Sequence, residues 1–286
     1  MTIRNPIEWT GAQLVAGAHA LGAAGHALHH VEDTIHAPAP AVSRIDANDI
    51  RDALAKGFDD FEAYRSDVVV LCVTYAVVGL LLARLAFGMD MLPLVFPLAS
   101  GFAIIGPFAA LGLYEMSRMR ERGVEVSWAN AFDVLKAPAI GAIAVLGVML
   151  VVLFLAWLVV AWAIYEMTLG PALPQSVSAF AHAVFTTKAG WTLIVAGVGA
   201  GFLFALLAMT ISLVSFPLLL DRDTGLDTAI QTSARAVKAN PGPMALWGLI
   251  VAGSLVLGSI PLFLGLVVVI PVLGHATWHL YRKLVR

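Results

Sequence analysis

Long apolar runs alternate with short polar stretches along almost the whole chain. Asp, Glu, Lys and Arg are missing from Val68 to Ala83, Met91 to Tyr114, Ala137 to Tyr165 and Ala189 to Leu220, and residues 239–274 hold no ionisable side chain. A helix rises about 1.5 Å per residue and roughly 20 apolar residues cross the hydrocarbon of a bilayer, so each run is predicted to span. The last run, of 36 residues, is too long for one crossing. It is predicted to fold back at Gly258, Ser259, Ile260 and Pro261, where turn chemistry meets a proline suited to start a new helix. Six spans are expected, at about Val68 to Phe87, Met91 to Met116, Pro138 to Tyr165, Gly190 to Leu219, Pro243 to Ser259 and Pro261 to Tyr281.

Between the apolar runs the pattern changes to helical amphipathicity. Ile50, Ala53, Leu54, Gly57, Phe58, Phe61 and Tyr64 fall on one face of a helix, with Asp52, Lys56, Asp59, Asp60 and Arg65 on the other. Trp128, Ala131, Phe132 and Leu135 form a second such face, and Leu226, Ala229, Ile230, Ser233, Ala234 and Val237 a third. Oxygen-bearing caps stand before each: Asp46 with Asp49, Ser127, and Thr224 with Asp227. The returning spans also share a proline near their polar exit: Pro107, Pro217 and Pro271. The simplest description is an all-α membrane protein of three units, about 46–123, 124–222 and 223–286, each an amphipathic helix plus a transmembrane hairpin. The membrane domain covers 44–286. A segment at 1–43, ending in an Ala- and Pro-containing linker, precedes it.

Charge gives the expected orientation, because loops left in the cytoplasm carry an excess of Lys and Arg. Of 17 such residues, 15 fall on the side that holds both ends of the chain, leaving Arg84 and Lys188 for the other. Both termini are therefore expected to be cytoplasmic. The composition, 60% hydrophobic and 13% charged, agrees with membrane burial. A net charge of −2 argues against a nucleic-acid partner. The only cysteine, Cys72, rules out an intramolecular disulfide. The first thirty residues lack a basic start, and histidines break their apolar run, so a cleaved signal peptide is not expected.

Two groups of residues are candidates for chemistry. Tyr114, Glu115, Arg118, Asp221, Arg222, Asp223, His275, His279 and Tyr281 cluster at the cytoplasmic ends of the returning spans if the units share an axis. His275 and His279 are one helical turn apart, a spacing that suits a metal or a haem edge, whereas a network of ion pairs needs no ligand. In the N-terminal segment, His19, His26 and His30 share a helical face with His29 beside them, a donor set suited to zinc, nickel or copper. A solvated helix accounts for the same residues. The hydroxyls within the spans, Thr74, Tyr75, Ser100, Thr210, Ser212 and Ser254, are expected to bond back to their own helices. Val177, Phe180, Ala181, Val184 and Phe185 predict a surface helix on the outer face.

Three motifs carry a family resemblance. Gly106 to Arg118 (Gly-Pro-Phe-Ala-Ala-Leu-Gly-Leu-Tyr-Glu-Met-Ser-Arg), Ser215 to Asp223 and Pro271 to Arg282 resemble a bacterial integral-membrane family, domain of unknown function 2189. Its members are often labelled cytochrome c oxidase subunit I-like. The resemblance runs from about Arg44 to the C-terminus and implies a bacterial inner-membrane protein without implying an activity. The helix-plus-hairpin unit also looks like the membrane region of some bacterial glycerophosphodiesterases, but the catalytic phosphodiesterase domain is missing here. The oxidase label fails on chemistry: a haem-copper subunit needs many histidines inside its spans, and of the eight here only His275 and His279 fall in one.

The expected function is a non-enzymatic partner-binding or organising component, embedded in the lipid bilayer beside another membrane protein or a respiratory complex. The alternative is a channel or carrier for a small uncharged or amphipathic solute, although no carboxylate or lysine sits in mid-span. A third reading is a haem- or metal-binding redox accessory using His275 and His279. No cofactor is expected outside that third reading.

Overall fold

The computed structural model describes residues 40–64, 84, 92–170, 174, 176–261 and 264–286. The described residues are helical, with one isolated antiparallel bridge between Val42 and Val285. Among the described residues the helices in chain order include α1 over 47–64, α2 Val95–Ala109, α3 Leu111–Glu121, α4 Ile140–Thr168, α5 Val177–Thr186, α6 Lys188–Ser212, α7 Ser215–Asp221, α8 Leu226–Ala239, α9 Pro241–Ser259 and α10 Leu266–Leu284. Among the described residues four stretches are long and apolar enough to cross a membrane: Leu92–Glu121, Ile140–Thr168, Lys188–Asp221 and Pro241–Ser259. The expected first span and the N-terminal histidines lie outside the described residues. The expected sixth corresponds to α10, whose second half carries His275, His279, Arg282 and Lys283 and so falls outside those four.

Local chemistry explains where the helices begin and end. Asp46 caps α1 by accepting from the Asn48 and Asp49 amides, and Asp49 Oδ2 accepts in turn from the Asp46 amide. At the end of α3 the Gly123 amide donates to the Arg120 carbonyl and the Val124 amide to the Met119 carbonyl. That is a Schellman closure, and it requires the left-handed conformation that Gly123 adopts at φ 72°. A left-handed glycine also follows the end of α4, with Gly170 at φ 90°.

Three expectations are corrected. The second amphipathic segment, Trp128–Lys136, is a 3-10 helix, not an α-helix. Ala137, the residue before Pro138, is extended at ψ 137°, as a proline demands of its predecessor, and this cuts the segment short. The third amphipathic helix, α8, is entered from Gly225 without a side-chain cap, and the Thr224 hydroxyl is buried with no partner among the described residues. Pro261 lies in the turn before α10, which begins at Leu266, because Gly258 and Gly265 stand almost in backbone contact at the bend.

Proline also shapes the returning helices. Pro217 cannot donate to the carbonyl four residues back, and the chain breaks between α6 and α7. The freed Val214 amide is taken up by Ser233 of α8 at 3.2 Å. A similar break at Ala110 separates α2 from α3, three residues after Pro107. Pro271, by contrast, sits within a continuous α10. The span hydroxyls of Ser100, Thr210 and Ser212 donate to carbonyls of their own segments, as membrane burial requires.

Polar residues gather at one end of the bundle, and the amphipathic elements cross it in cyclic order. The 3-10 helix lies on α3, where Gly112 meets Ala131; α8 lies on α6 and α7; α1 lies on α10, where Gly57 meets Ala276. A glycine lies at two of these crossings, Gly112 under the 3-10 helix and Gly57 of α1 over α10. The α9–α10 hairpin returns to this same end, since Asn240 donates to the Ser43 carbonyl and the Ser43 amide donates to the Leu284 carbonyl. At the far end α5 forms the expected surface helix, capped by Ser176, with Val177 and Phe185 exposed.

Candidate functional site

The polar end of the bundle is built around a carboxylate. Asp60, on the polar face of α1, is only 4% exposed because α1 lies across α10. Arg120 donates to its Oδ1 at 2.5 Å, and Ser117 and His279 donate to its Oδ2 at 2.6 and 2.8 Å. His275, fully buried, reaches Ser117 Oγ through Nδ1 at 2.8 Å. Ser117 has one proton and gives it to the carboxylate, so His275 must be the donor to Ser117. Two histidines one turn apart on α10 thus face a single acid, one directly and one through a hydroxyl. Burial raises the Asp60 carboxyl, but hydrogen bonds from His279 and Ser117, with the nearby histidine charges, outweigh it and leave the group below its ordinary value.

A second acid lies on another face of α10. Tyr281 donates to Asp221 Oδ2 at 2.8 Å, Arg282 approaches the same atom at 3.3 Å, and Arg122 and Arg222 stand at 3.8 and 3.9 Å. Arg282 also bonds Glu121, which accepts from the Trp278 indole. Glu115 pairs with Arg118 at 2.7 Å, and Arg118 reaches the Leu220 carbonyl at 2.8 Å. Tyr114 is buried, while Asp223 is exposed.

Of the rim residues singled out in the sequence, His275 and His279 therefore meet at Asp60, and Asp221, Arg222 and Tyr281 form a separate group. Glu115 and Arg118 form a third, beside α7. Asp60, Ser117, Arg120 and Glu121 were missed. Asp60 reads as one more charge on a solvated helix face until α10 is laid over it. Its one signal is position, since it follows Gly57 by three residues and so stands beside the crossing point. Among the described residues no group of three or more His, Cys, Asp or Glu is placed to hold a metal ion.

The arrangement also bears on catalysis. A nucleophilic serine gives its proton to an imidazole, and the carboxylate lies behind that imidazole. Here the order is reversed: the imidazole donates to Ser117, and Ser117 donates to the acid. What the cluster does chemically is to tie α1, α3 and α10 together at low dielectric.

Comparison with curated proteins and with solved structures found no match. Residues 95–221, which hold α2 to α7 with Glu115, Ser117 and Asp221 but exclude Asp60 and the two rim histidines, match a family model. That family is described as predicted integral membrane protein (DUF2189), the one the sequence motifs resemble, and the match covers the central part of the chain, less than half of its length.

Proposed function

We propose that the protein is a six-span, non-enzymatic component of the bacterial inner membrane that binds or organises another membrane protein, with both ends in the cytoplasm. The observation that carries this reading is the closed rim: Asp60, Ser117, Arg120 and His279 direct their polar groups at one another, and His275 completes the set through Ser117. Such a network fixes a shape and does not hold open a reactive pocket. Six crossings are supported by parity. Residues 42 and 285 are paired at the polar end, and α4, α6, α9 and α10 alternate between the ends. Trp157, deep in α4, bonds Ser100 and the Pro97 carbonyl, which supports a start of the α2 stretch at the far end and so, with the charge-free run Val68 to Ala83, a crossing before it. The cyclic order of the amphipathic elements supports three repeated units.

Gentle solubilisation of bacterial membranes, followed by affinity isolation of the full chain, tests the reading. The expected result is a membrane-protein partner recovered in fixed ratio. Recovery of the chain alone after cross-linking in the intact membrane contradicts it. A carrier for a small uncharged or amphipathic solute is the second reading, favoured by an apolar cavity inside the bundle, and solute flux in proteoliposomes is its measure. The redox reading predicts a Soret band or bound metal in the purified protein.

A further inference from the structure

Below the rim, a cavity of about 170 Å³ lies between α2, α6, α9 and α10. Its wall is mostly hydrocarbon, with Ala103, Trp247 and Leu255 among the lining residues, and hydroxyls from Tyr114, Ser212 and Thr277. Two of those hydroxyls have already given up their protons: Thr277 donates to the Leu273 carbonyl at 2.7 Å, and Ser212 donates to the Ala208 carbonyl at 2.6 Å. The lining, mostly hydrocarbon and with these two protons already committed, therefore suits an uncharged, largely apolar guest. Two lining glycines, Gly106 and Gly248, would each send a Cβ into open space, with nothing within 4 Å.

The three-unit order shows why the space is unusual. At the seam between the first and second units, α2 meets α4 closely: Phe108 fills the space over Gly147, Phe154 that over Gly101, and the Trp157 indole bonds Ser100. At the corresponding seam between the second and third units, α6 and α9 both line the cavity, yet among the described residues they barely touch. Exposed Leu206, Leu207, Leu249 and Val256 on these two helices give the seam hydrocarbon surroundings. In a membrane such an opening faces lipid tails, not water.

We infer that this cavity is a binding site for a hydrocarbon segment that enters from the bilayer between α6 and α9, either the acyl chain of a membrane lipid or the tail of a free amphiphile. A cavity of roughly 150 Å³ accommodates a benzene-sized guest. The space here accordingly holds a short stretch of chain, not a whole lipid. The inference goes beyond the proposed function and stands whichever partner the rim serves.

The test uses the full chain in lipid nanodiscs, with phosphatidylcholine brominated on its acyl chains as one probe and a brominated alkyl maltoside as the other. Bromine quenches indole emission on contact, and the Trp247 share is isolated by difference from Trp247→Phe. Emission from Trp247 is expected to fall by about half with a bound chain, because the ring lines the cavity. Gly106→Leu and Gly248→Leu, which fill the space, should restore it; if one does not fold, the other gives the same reading. Quenching by the lipid assigns the acyl chain, and quenching by the maltoside alone assigns the free amphiphile. Emission indifferent to both probes overturns the inference. So does quenching that survives both filling variants.

Discussion

Asp60 of α1 and His279 of α10 lie 219 positions apart in the chain and 2.8 Å apart in space. This contact fastens the first amphipathic helix to the last helix of the bundle. Arg120 and Ser117 join it from α3, so one carboxylate links three elements. Replacing it by Asp60→Asn leaves Arg120 without its anion, and Asp60→Ala removes the acceptors altogether. The second change is expected to cost on the order of 3 kcal/mol, since the acid is buried, with the half-exposed Arg120 holding the loss to the low end of the range for broken buried pairs. Thermal unfolding in detergent measures it, with Asp60→Asn intermediate.

The same residue sets a pH dependence. A carboxyl whose pKa is lowered on folding contributes stability that is fully present above its unfolded value and lost as pH falls through its folded value. Asp60 is lowered from 3.8 by the balance described above. Asp49 is lowered first by its bond from the Asp46 amide and then by Lys283, and Asp52 first by Lys283 and then by Lys56. All three acids lie on α1. The contribution of α1 should therefore be constant above about pH 4 and decline below it. Melting temperature against pH for the native chain and for Asp60→Asn provides the comparison, and the variant should decline less.

Gly57 is the tightest point of that attachment. A Cβ there would stand 2.6 Å from the Ala276 amide nitrogen, which belongs to a helix backbone and cannot move aside. Gly57→Val should lift α1 from α10 at a cost of about 1–3 kcal/mol, typical of forced overpacking. Gly197→Val, where a Cβ meets nothing within 4 Å, should leave the melting temperature nearly unchanged.

The acid at the second rim group behaves differently. Asp221 keeps a buried partner in Tyr281, but Arg122 and Arg282 are substantially exposed. Asp221→Ala is expected to cost about 1 kcal/mol, close to one net hydrogen bond, because exposed ion pairs add little. A loss as large as that of Asp60→Ala would show that the two acids are equally enclosed.

How much of this was legible in the sequence follows from the range of each interaction. Charge-free runs long enough to cross a bilayer announce themselves locally, and so do caps such as Asp46 with Asp49 and the glycine stop at Gly123. The turn at Gly258 was readable from the length of the run and from where the basic residues fall. The 3-10 form of Trp128–Lys136 was missed because amphipathic spacing was weighed and the restriction imposed by Pro138 on its neighbour was not. Asp60 was missed for a different reason. Its burial depends on a crossing between helices more than two hundred residues apart, and within α1 only its place three residues after Gly57 separates it from Asp59, which remains exposed. The same holds for Ser117, an ordinary residue until His275 and Asp60 approach it from two other elements.

The central claim is that the chain crosses the membrane six times and leaves both ends of the membrane domain on the cytoplasmic side. The pairing of Val42 with Val285 puts these two points at one end of the bundle. Compartment-specific reporter fusions measure the claim most directly. Reporters placed after Lys136, Lys238 and Arg286 should read cytoplasmic, and reporters near Asp90 and Gln175 periplasmic. A periplasmic signal after Arg286 together with a cytoplasmic one after Lys238 would contradict the α9–α10 hairpin as a returning pair, and with it the six-span account.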